Sequence, residues 1–249
     1  MGWTSRHCRH ESSEPMFHPR LDILPPPQRA LWPELAEVPE HFVLYGGTAL
    51  ALRLGHRQSM DFDFFTSENV SPEELLRSLR LLRNGKILQN TSQTLTMAVN
   101  RSGQVKLSFF GGLTNLGRVG AIDRTPDGVL AVASLLDLAG AKAAVINQRA
   151  ETKDYSDMLA IIGDERNGIT LHDAMAAARA IYGKQYNPML TVKSLTSFLD
   201  GDLPKLTDVQ KTRCRKIAAA ADITRLPGIK RLSNHLSRDE PPSEILALR

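Results

Sequence analysis

Strict alternation marks Met60–Phe65: Met60, Phe62 and Phe64 face one way, Asp61 and Asp63 the other. A period of two predicts a strand with one apolar face. Just upstream, His41–Tyr45 is a brief apolar and aromatic run that stops at Gly46-Gly47. It reads as a buried strand entering a tight turn. Thr48–Gly55 then reads as a short helix, capped by Thr48 and closed by Gly55. Earlier, Pro25–Pro27 opens the patterned chain, and Gln28–Glu37 reads as a helix that Pro33 bends or restarts. Later, Ser71-Pro-Glu-Glu starts a helix of about a dozen residues, with Leu75, Leu76, Leu79 and Leu82 on its apolar face. Lys86–Gln89, Thr94–Asn100 and Gln104–Phe110 read as strands, the last two joined at Arg101-Ser102-Gly103. Ile122–Gly128 reads as a turn region.

From Val129 the character becomes helical, over Leu130–Gln148, Lys153–Ile162, Thr170–Ile181, Pro188–Leu199 and Thr207–Ala221. The pattern predicts an α+β chain, with a mixed sheet and flanking helices in the N-terminal half and a helical C-terminal part. The expected divisions are a flexible leader over 1–24, a sheet-bearing core over 25–128, a helical domain over 129–237 and a tail over 238–249.

Composition narrows this picture only in places. With 249 residues, 42% hydrophobic and 23% charged, the chain is not a disordered or fibrous one. No apolar run approaches the roughly 18 residues of a helical membrane span, so no membrane association is expected. Two cysteines, Cys8 and Cys214, can build neither a disulfide framework nor a four-cysteine zinc site. The first residues lack the apolar core of a secretory signal, so the expected location is cytoplasmic. His7, Cys8, His10 and His18 match no zinc spacing and read as part of a loose polar leader. A net charge of +4 favours a polyanionic partner only weakly.

Chemistry concentrates in Phe42–Phe65. Gly46 and Gly47 remove side chains where a helix begins, and the first amides of a helix are unpaired donors at its partly positive end. A phosphate can sit there, held by backbone N–H groups and the Thr48 hydroxyl. Asp61 and Asp63 leave the same face of a strand. Two like charges so close repel, and a divalent cation removes that cost. Two carboxylates plus substrate phosphates are the usual ligands of Mg²⁺.

This block resembles the nucleotidyltransferase superfamily of DNA polymerase beta type and, more narrowly, the AbiEii/AbiGii toxin family of abortive-infection and type IV toxin–antitoxin systems. The matching residues are Gly46, Gly47, Thr48, Arg57, Ser59, Asp61 and Asp63. A second block, Ala141–Met158, is similar to the family's Lys, Arg, Lys-Asp-x-x-Asp-Leu motif through Lys142, Arg149, Lys153, Asp154 and Asp157, with Met158 in place of Leu. On one continuous helix Lys142, Arg149, Lys153 and Asp157 would form a single stripe, either a solvated face or a wall toward a triphosphate.

The resemblance implies a nucleotidyltransferase core whose helical domain completes the cleft. It implies an NTP substrate, with Mg²⁺ or Mn²⁺ on Asp61 and Asp63. Catalysis would fall to Asp61, Asp63, Lys142 and Asp157, and nucleotide binding to the remaining motif residues. Lys142 would pair with the triphosphate, Arg57 would do so or brace the loop, and Ser59 would bond phosphate or cap the strand. The leading acceptor is a tRNA 3′ end, and a cognate antitoxin is the expected partner. Exposed-type basic residues in the last third (Lys193, Lys205, Lys211, Arg213, Arg215, Lys216, Arg225, Lys230 and Arg231) suit RNA or simple solubility. One departure stands out. The superfamily's third carboxylate is expected on Gln104–Phe110, where Ser108 stands, with Lys106 on the same face and Asp123 as a fallback. Either the second motif supplies that carboxylate through Asp154 or Asp157, or the protein is a non-catalytic nucleotide-binding module; a plain RNA-binding protein, or transfer to a protein or small molecule, are the further rival readings.

Overall fold

The computed structural model describes residues 17–239. His7, Cys8 and His10 lie outside them, as does the end of the tail. Among the described residues seven strands form one mixed sheet: β1 (Val43–Tyr45), β2 (Asp61–Phe65), β3 (Lys86–Thr91), β4 (Thr94–Asn100), β5 (Gln104–Phe110), β6 (Asp123–Arg124) and β7 (Ala131–Val132). Their order across the sheet is β3-β4-β5-β2-β1-β7-β6. β2 lies at the centre, antiparallel to β1 and parallel to β5, so residues opposite each other share a face.

The alternation expected of β2 is present: Phe62 and Phe64 are fully buried, and Asp61 and Asp63 lie on the other face. Phe64 stacks with Phe109 at 5.3 Å, and Phe42 meets Phe109 edge-on at the same distance. This aromatic cluster anchors the apolar side of the sheet. Met60, read into the strand, stands outside it and is exposed.

The α-helices among the described residues are α1 (Pro26–Leu31), α2 (Gly46–Leu54), α3 (Pro72–Ser78), α4 (Leu135–Val145), α5 (Thr152–Gly163), α6 (Leu171–Tyr182), α7 (Pro188–Ser194) and α8 (Asp208–Ala219). α2 packs on β1 and β2 and also meets α4 and α5, so it joins the sheet to the helical part. Gly140 makes the α4–α6 contact close: a Cβ there would lie 2.9 Å from the Ala178 nitrogen. Only small residues allow that approach. α4 is therefore rich in alanine and weakly patterned, because protein surrounds it on all sides.

Several expected boundaries move. Pro33 does restart the first helix, as a 3-10 turn over Trp32–Glu37. α3 is shorter than the expected dozen, with a separate 3-10 turn at Arg80–Leu82. Asp123–Arg124, read as turn, is a strand. Leu130–Gln148 is not one helix: Ala131–Val132 pair in the sheet, and Ser134 caps the helix that follows. Residues 17–24, read into the leader, are packed: Leu24 is buried and the Arg20 amide donates to Leu52 O at 2.8 Å. His18 is exposed.

Candidate active site

Gly46 and Gly47 open α2 against the carboxylate face of β2. Gly46 has φ +75°, and a Cβ on it would lie 2.8 Å from Asp63 Oδ2. A side chain at Gly47 would meet Ser59 Oγ at 2.8 Å and an Arg57 Nη at 2.9 Å. Both glycines are thus required by proximity, one to the acidic strand and one to the loop before it. Gly55 closes the helix in the left-handed conformation, as expected. Thr48 does not cap it. Its hydroxyl is buried and donates to the Asp61 carbonyl, fastening α2 to β2. It does not face the cleft, which leaves backbone amides and Ser59 as the polar groups at the glycine turn.

Asp63 stands beside Ser108 and Tyr45 in the sheet register, and Thr96 follows Ser108. Asp61 stands beside Lys106, whose ammonium lies 2.7 Å from it. Burial, then the charge of Asp61, pushes the Asp63 carboxyl above the ordinary carboxylate range. Ser108, its neighbour in the register, works the other way and favours the ionised form. So Ser108 does occupy the neighbouring place on β5, and no carboxylate does. Asp123 lies at the far edge of the sheet, where Arg53 holds it at 2.5 Å.

The second motif splits over two helices. Lys142 lies on α4, and Asp154 and Asp157 lie on α5; the chain between them breaks the single stripe read from spacing. Lys142 Nζ sits 2.6 Å from both Asp154 and Asp157, and both carboxylates are fully buried. Arg149 closes on Asp154 at 2.7 Å. Arg57 grips Asp157 with two bonds, at 2.6 and 2.8 Å, and His56 Nε2 lies 2.7 Å from the same carboxylate. Arg57 therefore braces the loop. Burial alone would raise Asp157, but the hydrogen bonds from His56 and Arg57 and the charge of Lys142 outweigh it. They hold Asp157 far below its usual 3.8. Asp154 is lowered in the same way: burial opposes ionisation, and Arg149 and Lys142 overcome it. Neither acid lines the cleft, and each is occupied by cations. Their place is behind the cleft wall, aiming Lys142, Arg149 and Arg57.

A cleft of about 520 Å³ lies between these two groups. Gly46, Gly47, Arg57, Ser59, Asp61, Asp63, Lys142, Arg149 and Lys153 all line it. Thr48, Asp154 and Asp157 do not. Sequence reasoning missed His56, whose partner is 101 residues away, and passed over Thr96 and the aromatic lining Tyr45, Phe65 and Phe110; it placed Lys106 on the right face without seeing its pairing with Asp61. Among the basic residues of the last third, Arg231 is committed to the Ala180 and Ile181 carbonyls at the end of α6. Arg215 lies over the Phe198 ring.

Could the acidic pair hold a cation? Among the described residues no cluster of three or more His, Cys, Asp or Glu side chains could bind a metal alone. Two carboxylates on one face, with Asp63 carrying an unfavourable charge and Lys106 already drawn to Asp61, do fit an ion that takes its remaining ligands from phosphate and water.

A glycine turn aimed at two strand carboxylates, across a cleft from a braced lysine, defines a nucleotidyltransferase. Residues 29–225 match the family described as nucleotidyl transferase AbiEii toxin, type IV TA system. The chain belongs to that family, which implies an NTP substrate and an antitoxin partner. It is 29% identical over 171 residues to the uncharacterized protein aq_aa25 of Aquifex aeolicus (strain VF5), covering 68% of this chain and 79% of that one. It is also similar to the structure of MenT4, a nucleotidyltransferase toxin of Mycobacterium tuberculosis H37Rv, at 17% identity and TM-score 0.49, over 79% of this chain and 83% of that one. No helix among the described residues is long and apolar enough to cross a membrane.

Proposed function

We propose that the protein moves a nucleoside monophosphate from an NTP to the 3′-hydroxyl of an RNA, a tRNA 3′ end foremost, in the cytoplasm. The observation that carries this reading is Asp61 and Asp63 facing the cleft with Gly46 against Asp63. The β and γ phosphates rest on the Gly46–Gly47 amides and Ser59, with Lys142, Arg149 and Lys153 on the opposite wall neutralising them. Asp61 and Asp63 would hold Mg²⁺ or Mn²⁺, which when bound neutralises developing phosphate charge and polarises the α-phosphorus. The acceptor oxygen attacks that phosphorus and pyrophosphate departs on the opposite side. The acceptor proton passes to water in the cleft, because Ser108 gives the sheet no third carboxylate. Positioning supplies most of the rate.

The test uses full-length protein, Mg²⁺, each α-labelled NTP and total cytoplasmic RNA, beside an Asp61→Ala/Asp63→Ala control. Label on a tRNA-sized band, absent in the control, is expected. Label on protein would replace the acceptor. Triphosphate binding with no label would favour the non-catalytic module, the reading Ser108 supports.

Gly46→Ala is expected to lower Tm by about 2–4 °C and transfer by a larger factor. A side chain at φ +75° is strained, and its Cβ would push the Asp63 carboxylate aside. A melt beside a transfer assay reads both effects.

Acid is expected to loosen the network behind the wall. Asp157 is depressed in the folded state, so its stabilisation is complete above its usual 3.8 and is lost as pH falls below that toward the lowered folded value. Urea midpoints measured down the acid limb should fall more steeply in the wild type than in Asp157→Asn.

A further inference from the structure

β2 and β5 run parallel and in register, so their cleft-facing side chains form three successive rows: Asp61 with Lys106, Asp63 with Ser108, Phe65 with Phe110. All six line the cleft. Charge therefore gives way to aromatic surface along the strand direction. Phe65 and Phe110 lie 4.9 Å apart, and Tyr45 meets Phe65 edge-on at 5.4 Å. The phenylalanines on the other face of the sheet, Phe62, Phe64 and Phe109, are fully buried, whereas Phe65 and Phe110 stay partly exposed. Apolar rings left facing a polar cleft, beside Leu116, call for a flat apolar occupant.

The direction of attack identifies that occupant. Ser59 and Arg57 precede β2, so the departing pyrophosphate lies at the Asp61 end. In-line displacement brings the nucleophile from the opposite end, past Asp63. Two residues along a strand span about 7 Å, the reach from a ribose 3′-hydroxyl to its own base. We infer that Phe65 and Phe110 form a stacking shelf for the terminal nucleobase of a single-stranded RNA acceptor. The inference rests on the transfer reading above and adds to it where the acceptor binds. Stacking on a π-face accepts any base, so the shelf recognises an unpaired end rather than a sequence. Tyr45 and Tyr182 also line the cleft.

The test measures polarisation of a short 5′-fluorescein single-stranded RNA, and separately binding of Mg-NTP, on full-length wild type, Phe110→Leu, Phe65→Leu and Phe110→Tyr. Leucine keeps the apolar volume and removes the ring; tyrosine keeps the ring. Each leucine change is expected to weaken RNA binding about 5- to 100-fold, with NTP affinity unchanged and Phe110→Tyr near wild type. An RNA whose last nucleotide is abasic should lose the same factor on wild type, with no further loss on Phe110→Leu. Unchanged RNA affinity in leucine variants with wild-type melts would overturn the shelf. So would weakened NTP binding in its place, which would assign the rings to the substrate's own base. If a leucine variant melts early, the abasic RNA on wild type decides. A wild type that shows this ring-dependent binding but labels no RNA would sink the transfer reading and leave the shelf standing. Labelled RNA with ring-independent binding would do the reverse.

Discussion

Asp63→Asn yields a folded protein that no longer transfers nucleotide. Activity is expected to fall by at least about a thousandfold, because the variant keeps the shape of the side chain but loses the charge that faces the cleft. Its stability goes the other way. Asp63 sits half-buried beside Asp61, and partial desolvation together with that charge raises its proton affinity. A carboxylate whose folded-state proton affinity is raised costs stability while it is ionised. Replacing it by a neutral isostere removes that cost, so Tm should stay level or rise by up to about 3 °C. A calorimetric melt set beside single-turnover transfer separates the two effects. An Asp63→Asn variant that transfers at the wild-type rate would remove Asp63 from the chemistry.

Lys142→Met is expected to do the opposite to the fold. Lys142 is nearly fully buried and touches both Asp154 and Asp157, themselves without solvent contact. Methionine fills the volume but strips a cation from two buried anions. Breaking a buried ion pair from one side costs about 3–5 kcal/mol. For a chain of this size that is a drop of roughly 6–20 °C in Tm. Transfer is lost as well, since the opposite wall loses its central charge. The comparison with Asp63→Asn is the informative part: both abolish activity, yet one protein melts at or above the wild type and the other far below. Equal melts for the two would show that the Lys142 network is not what holds the α4–α5 junction.

The acidic strand was readable because a period of two over MDFDFF admits few other structures, and Gly46-Gly47 marked the turn before it. The rest of the site was harder for definite reasons. Leu130–Gln148 is mostly apolar with little periodicity, and the one mark of where α4 starts, Ser134 three residues before Asp137, went unread. The break after Val145 carries no proline or glycine, so Lys142 and Asp157 looked like one helical stripe when they face each other across two helices. His56 had no readable signal, because its role exists only through Asp157. Thr48 followed the wrong rule: a threonine after a glycine turn suggests a cap, but a backbone carbonyl of the neighbouring strand was closer to hand.

The grip of His56 and Arg57 on Asp157 also bears on how the molecule is made. The loop bearing the first two residues leaves the ribosome long before α5 does, since 101 and 100 positions separate the partners. Until α4 and α5 are synthesised, the acidic strand has no opposite wall, and Arg57 has nothing to hold it in place. Contacts this distant in the chain form late, after local helices and hairpins. An unfinished chain therefore carries both acidic residues but no cleft. The two walls of the site are therefore joined only after α5 has been made, and a shorter piece of the chain carries the acidic strand without the charges that face it.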